Sequence, residues 1–181
     1  MNLMNSSDND HLSCAGKRAA LVVAHPGHEL KVHGWLEAVR PIVFVLTDGS
    51  GRSNQSRLGS TTVVLDRARA KASSIYGYFT DRAAYAAILN HDFDRFIGLA
   101  AKLSQAFVRE QIDFVAGDAI EGYNPMHDVC RLVIDAAVEA ARQSDGRDIA
   151  NLAFSLVDQS HVSLEPPHAN ELWLELDDAA L

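Results

Sequence analysis

The run AALVVA, Ala19 to Ala24, breaking directly into HPGHE, constrains this chain more than any other stretch. Six apolar residues without alternation suit a strand buried on both faces. Such strands belong to parallel sheets covered by helices on each side. In an open parallel sheet, ligands bind beyond the carboxyl ends of the strands. A turn bearing histidines at that place is therefore a candidate site as well as a connection.

The same grammar recurs downstream. Helical spacing over Glu29 to Arg40 is stopped by Pro41, and IVFVL, Ile42 to Leu46, reads as a second buried strand ending in the polar loop TDGSGRSNQSR. Gly59 to Ser74 is mixed; its Ala, Arg and Lys content favours helix for most of its length. SIYGY, Ser74 to Tyr78, predicts a short strand, and Ala83 to Leu89 a short helix. A clear apolar stripe predicts a helix over Phe93 to Gln111, then a buried strand over Ile112 to Gly117. The loop DAIEGYNPM precedes a helix over Asp128 to Ala141, and NLAFSLVD predicts another strand. After the loop SHVSLEPPHAN, the alternation in ELWLELD suits a strand with one wet face. Strands alternating with helices predict an α/β three-layer, Rossmann-like sandwich around a mostly parallel sheet.

The remaining sequence bounds the class. Met1 to Gly16 has no basic start and no apolar run, so it is not a signal peptide and is expected to be a disordered leader. Residues 17–181 are then expected to form one domain. With 24 acidic against 16 basic side chains, and a net charge of -8, the chain lacks the basic character of a general nucleic-acid binder. No apolar stretch is long enough to cross a bilayer. Cys14 and Cys130 form no disulfide framework and no CxxC pair, and are read as unpaired thiols of a cytoplasmic protein. There is no GxGxxG after the first strand and no GxSxG elbow, which argues against a dinucleotide binder and a serine hydrolase.

Two polar clusters follow buried strands: AHPGHE, Ala24 to Glu29, and GDAIEGYNPMHD, Gly117 to Asp128. If their strands are neighbours, the clusters face one crevice. His25 and His28 then meet His127, and three imidazoles with water in the fourth position make a catalytic zinc site. A lone HxxH is weak evidence, so the third histidine after a second buried strand carries the argument. The competing reading leaves His25 at a strand end and lets His28 and His127 bond to loop backbone. His33 is expected to be packing or surface. His11, His91, His161 and His168 have no obvious partner.

In the order and placement of these motifs the chain, from about Ala19 onward, resembles the zinc-dependent LmbE-like (PIG-L) family of N-deacetylases. The resemblance rests on the AHPxxE turn after the first strand, LTDG (Leu46 to Gly49) after the second, and an xxPxH loop before a later helix. It implies a Rossmann-like fold and hydrolysis of N-acetyl groups on amino sugars or their conjugates. The family's usual motifs read AHPDDE and HPDH. By that match His25 and His127 are implied zinc ligands, and His28 stands where the family has a ligand aspartate.

Two departures matter. Gly27 occupies the place of the family's general base, and Asn124 replaces the first histidine of the second motif. A substitute base is expected among Asp118, Glu121 and Asp128, with Asp118 and Glu121 ranked first; Glu29 is expected to orient a ligand or hold the turn. Tyr123 and Asn124 are candidates to hydrogen-bond the substrate, and so are Asp48 and Arg57 of the loop after the second strand, where Arg52 also lies. The expected activity is hydrolysis of an amide bond, most simply N-deacetylation of a small glycoside or acylated amine by metal-activated water. The alternatives are a biosynthetic deacylase or amidase, and a degenerate metal- or sugar-binding protein that does not hydrolyse. Homo-oligomerisation through an edge strand such as ELWLELD is a further expectation.

Overall fold

The computed structural model describes residues 16–157. The predicted leader, apart from Gly16, lies outside the described residues, as do Cys14, His11, His161, His168 and the predicted strand ELWLELD.

Five strands form one sheet: β1 (Ala19–Val23), β2 (Ile42–Thr47), β3 (Lys71–Phe79), β4 (Phe114–Asp118) and β5 (Ala150–Phe154). Their order is β3-β2-β1-β4-β5, and every pairing is parallel. β1 alternates its side chains between two cores. Ala20 and Val22 pack into one, and Ala19, Leu21 and Val23 into the other, all nearly inaccessible to water. Hence its apolar run does not alternate. This is a three-layer, Rossmann-like α/β fold.

On one side of the sheet lie α1 (His33–Val39) and α2 (Leu58–Ala68), which supply Trp35, Leu36, Leu65 and Ala68 to the core. On the other lie α3 (Asp81–Leu89), α4 (Phe93–Arg109) and α5 (Pro125–Asp145). The chain lays down β1, β2 and β3 in one direction, then crosses back to set β4 against the free side of β1. That reversal opens a crevice between the carboxyl ends of β1 and β4, the place where such folds bind ligands.

Several predicted boundaries shift. The β-branched stretch from Thr61 to Leu65 is helical, inside α2. The helix stops at Arg69, which adopts a left-handed conformation, and the chain from Lys71 pairs with β2. Pairing to a buried neighbour overrides the helix preference of the Lys71–Ser74 stretch, so β3 is nine residues long rather than five. α5 begins three residues earlier than expected, because Asn124 caps it and Pro125 occupies its first turn. The segment Glu29 to Arg40 splits into a short 3-10 turn (His28–Val32) and α1.

Candidate functional site

β1 and β4 are hydrogen-bonded neighbours, with Val22 opposite Gly117. A Cβ at Gly117 would stand 2.5 Å from Ile134 Cδ1 and 2.8 Å from the Val22 carbonyl oxygen. Glycine there lets α5 settle closely over β4. The first turn of α5 thereby brings His127 to the turn after β1.

The three histidines meet. Ring centroids lie 5.3 Å apart for His25 and His28, 5.2 Å for His25 and His127, and 4.6 Å for His28 and His127, all edge-on. His25 and His127 are buried, and His28 is half-buried.

Two of the rings are held from behind. His28 Nδ1 donates to Asp118 Oδ2 at 2.9 Å, and the same oxygen accepts the Ala24 N–H at 2.8 Å. His25 Nδ1 lies 2.7 Å from Thr47 Oγ1 and 3.1 Å from Asp81 Oδ1. A carboxylate only accepts, so each Nδ1 carries the hydrogen and leaves Nε2 as the lone-pair donor. A carboxylate behind an imidazole is the usual support of a metal ligand.

His127 differs. Its Nδ1 is buried and has no partner. Its pKa is lowered from 6.5 to about 4, by burial first and then by His28 and His25. The pKa of His25 is also lowered, chiefly by burial, against the opposing pull of Asp81. Both rings are thus neutral at pH 7, the form that binds metal.

The other predicted residues take distinct places. Asp118 lies fully buried under His28, with its second oxygen, Oδ1, unpartnered. Glu121 Oε1 accepts from Ser155 Oγ and from the N–H groups of Leu156 and Val157, while its Oε2 is buried without a partner. Burial would raise its pKa, but those hydrogen bonds outweigh it and hold the carboxyl below its ordinary value. Asp128 Oδ1 accepts the Glu121 and Gly122 N–H groups and so closes the loop. Asn124 Oδ1 caps α5 through the Met126 N–H and accepts from Tyr85 Oη. Tyr123 is exposed, with its ring edge-on to His127 at 5.2 Å.

Gly27 has φ 106°, and a Cβ there would meet nothing within 4 Å. Glu29, almost fully buried, holds this turn: Oε2 accepts the Gly27 N–H at 2.7 Å and Oε1 accepts from Thr61 Oγ1. Asp48 reaches the site at one remove. Its Oδ1 accepts from Ser50 and from the N–H of Asp81, the residue behind His25. Burial acts to raise its pKa, and these hydrogen bonds keep it lowered. Arg57 is exposed, with Nε donating to the Gly49 carbonyl beside Pro26. Arg52 is exposed on the same loop, and His33 pairs with Glu37 along α1.

Thr47 and Asp81 were not among the predicted residues. Each stands at or just after the carboxyl end of a strand, β2 and β3, so the rule that pointed to His25 also points to them. Tyr85 and Thr61 lie inside helices and leave no comparable signal.

The residues fit a metal by chemistry: neutral imidazoles, two of them backed by carboxylates. The buried unpartnered atoms support this. Five such side-chain atoms occur among the described residues, and three of them belong to Asp118, Glu121 and His127. Native proteins leave few polar groups in that state, and those few call for an explanation such as an ordered water, a bound ion or a catalytic role. The donor atoms do not yet converge, however. Among the described residues, no group of three or more His, Cys, Asp or Glu side chains stands ready to hold a metal ion. Among the described residues His127 Nδ1 has no hydrogen-bond partner, so this ring, unlike those of His25 and His28, is held by packing alone.

No family model matches the chain, and neither a curated protein nor a solved structure does. No helix among the described residues is long and apolar enough to cross a membrane.

Proposed function

We propose that the chain is a zinc-dependent hydrolase of an amide bond, and most simply an N-deacetylase acting on a small amino-sugar-type or other acylated amine. One observation carries this reading. Three imidazoles touch at the switch point of a parallel sheet, where Asp118 and Glu121 each keep a buried carboxylate oxygen without a partner. The order of motifs shared with LmbE-like deacetylases supports the choice of reaction.

His25, His28 and His127 would hold the metal, which when bound supplies a Lewis acid that polarises a carbonyl and acidifies water. The chain's own groups do the rest. Asp81 and Asp118 fix the tautomers of His25 and His28. Asp118 Oδ1 is the first candidate to take the proton from attacking water, and Glu121 Oε2 the second. Tyr123 stands at the exposed side of His127, placed to hydrogen-bond the substrate or the developing oxyanion. Arg57, tethered by Nε, keeps its outer N–H groups for a hydroxyl or anionic group at the rim. Asn124 serves first as a helix cap.

Acetate and free amine should be released from some member of a panel of N-acetylated amines by zinc-loaded protein. A chelator, or His28→Ala, should stop it. A chain that binds zinc and releases nothing across the panel would favour the second reading, a metal-binding protein that recognises such ligands without cleaving them. That reading draws on Gly27, which provides no side chain where the resembled enzymes carry their base.

A further inference from the structure

Asp48 is a candidate substrate contact by its place in the sequence, yet every hydrogen bond it makes is to the protein around it. Its N–H donates to the Phe79 carbonyl at the end of β3, at 2.8 Å, and its carbonyl accepts the Arg57 N–H at 2.9 Å. Its Oδ1 accepts the Ser50 N–H at 3.0 Å, Ser50 Oγ at 2.7 Å and the Asp81 N–H at 3.1 Å. One aspartate therefore joins the end of β2, the end of β3 and the start of α3.

Asp81 is what this loop grips. Its N–H is held by Asp48 and its Oδ2 by the Gly51 N–H at 2.7 Å, which leaves Oδ1 for His25 Nδ1 at 3.1 Å. Asp81 opens α3, where a carboxylate is otherwise drawn back to the free N–H groups of its own helix. The grip matters because of the other neighbour of His25. Thr47 Oγ1, 2.7 Å from Nδ1, can accept a hydrogen bond or donate one, so it suits either tautomer of the ring. Only the Asp81 carboxylate, which can do nothing but accept, decides that Nδ1 carries the hydrogen and Nε2 the lone pair.

We propose that Asp48 is a positioning residue for His25 instead of a contact for substrate. Through the Asp81 N–H and the Ser50–Gly51 turn it holds the Asp81 carboxylate against Nδ1, and so fixes the tautomer of a ring it does not touch. Oδ1 is the Asp48 oxygen that makes these bonds, so the acceptor is what counts and the negative charge is not. The clamp belongs to the metal-free chain. Only its effect on zinc rests on the reading of the histidines as a metal centre.

Proton–nitrogen correlation spectra of the metal-free full-length chain at about pH 8, where the ring is neutral, read the tautomer of His25 directly. Wild type and Asp48→Asn should both show the Nδ1–H form, because an amide oxygen accepts the same hydrogen bonds. Asp48→Ala should show a clear share of the Nε2–H form. Zinc affinity should fall about threefold to tenfold in Asp48→Ala, less than the roughly 10–100-fold expected when a carboxylate directly behind a ligand is lost, and should hold within about twofold in Asp48→Asn. A weakened fold alone would not change the tautomer. Unchanged tautomer and zinc affinity in Asp48→Ala overturn the proposal and leave the metal centre standing; so does an Asp48→Asn that fails to restore the wild-type form. A changed tautomer in a chain that binds no zinc supports the clamp and sinks the metal centre instead. If Asp48→Ala does not fold, amide exchange in wild type carries the test. The Asp81 and Gly51 N–H groups should exchange far more slowly than unbonded loop amides, and exchange of either at the unprotected rate overturns the clamp.

Discussion

The turn after β1 and the loop after β4 face each other across the crevice, and they are built differently. In the first, nearly every polar group is committed: His25 to Thr47 and Asp81, His28 to Asp118, and the Gly27 N–H to Glu29. The second carries His127 and Glu121, each with a buried polar atom that has no partner. One half of the site thus has its polar groups fixed, and the other, though its loop is held by Asp128 and by Glu121 Oε1, keeps two polar atoms unsatisfied.

The largest expected effect comes from adding a carboxylate to the fixed half. In the proposed hydrolase, Gly27→Asp places one where space is open, and a general base contributes roughly 10²–10⁴-fold. The rate of amine release should rise by about 100-fold or more. The left-handed backbone at φ 106° should cost about 1–2 kcal/mol of stability, read by urea unfolding. A Gly27→Asp protein that folds, binds zinc and is no faster would show that proton transfer does not limit the reaction.

Next in size are the carboxylates behind the fixed histidines. Asp118→Asn and Asp81→Asn should each weaken zinc binding by about 10–100-fold in competition with a chromogenic chelator. Equal affinity in either variant would break the claim that this half is held by carboxylate–imidazole pairs.

Glu121 tests the half with unsatisfied atoms. Glu121→Gln should leave zinc affinity within about threefold, since its Oε1 serves residues 155–157 instead of a ligand, and should cost about 1 kcal/mol through weaker hydrogen bonds. The sign with pH is set by its lowered pKa. The charged carboxylate stabilises the fold above the ordinary value of 4.5, and that contribution fades as pH falls through the lowered one. The stability gap between wild type and Glu121→Gln should therefore be full near pH 6 and should shrink below pH 4.5. A gap that widens on acidification contradicts the assignment. An effect of the same size is expected from Asn124→Ala, about 1 kcal/mol from loss of the α5 cap, with zinc affinity unchanged.

Much of the fixed half is legible in the sequence. AALVVA announces a doubly covered strand, and a histidine at its carboxyl end follows from the geometry of parallel sheets. His127 is legible for the same reason, one buried strand later. The pairing of β1 with β4 is not, since helix-linked strands carry no local sign of which neighbour they choose. The strand-end rule reaches Asp81, but its contact with His25 spans two strands and becomes readable only once β2 and β3 are known to lie side by side with β1. The start of β3 escapes for another reason: Lys71 to Ser74 has weak strand preference, and its conformation is imposed by β2. The roles of Asp118 and Glu121 also need coordinates, because two acidic residues three positions apart look alike in sequence. One ends up wholly buried under an imidazole, the other on a loop that ties down the chain after β5.

The most direct test of the account is the zinc content of the chain after dialysis against a small excess of the ion and then against metal-free buffer. Wild type should retain about one zinc per chain, and His25→Ala, His28→Ala and His127→Ala should each retain little or none. Retention that is unchanged in any of the three variants, or no retention by wild type, would contradict a single site made by these histidines.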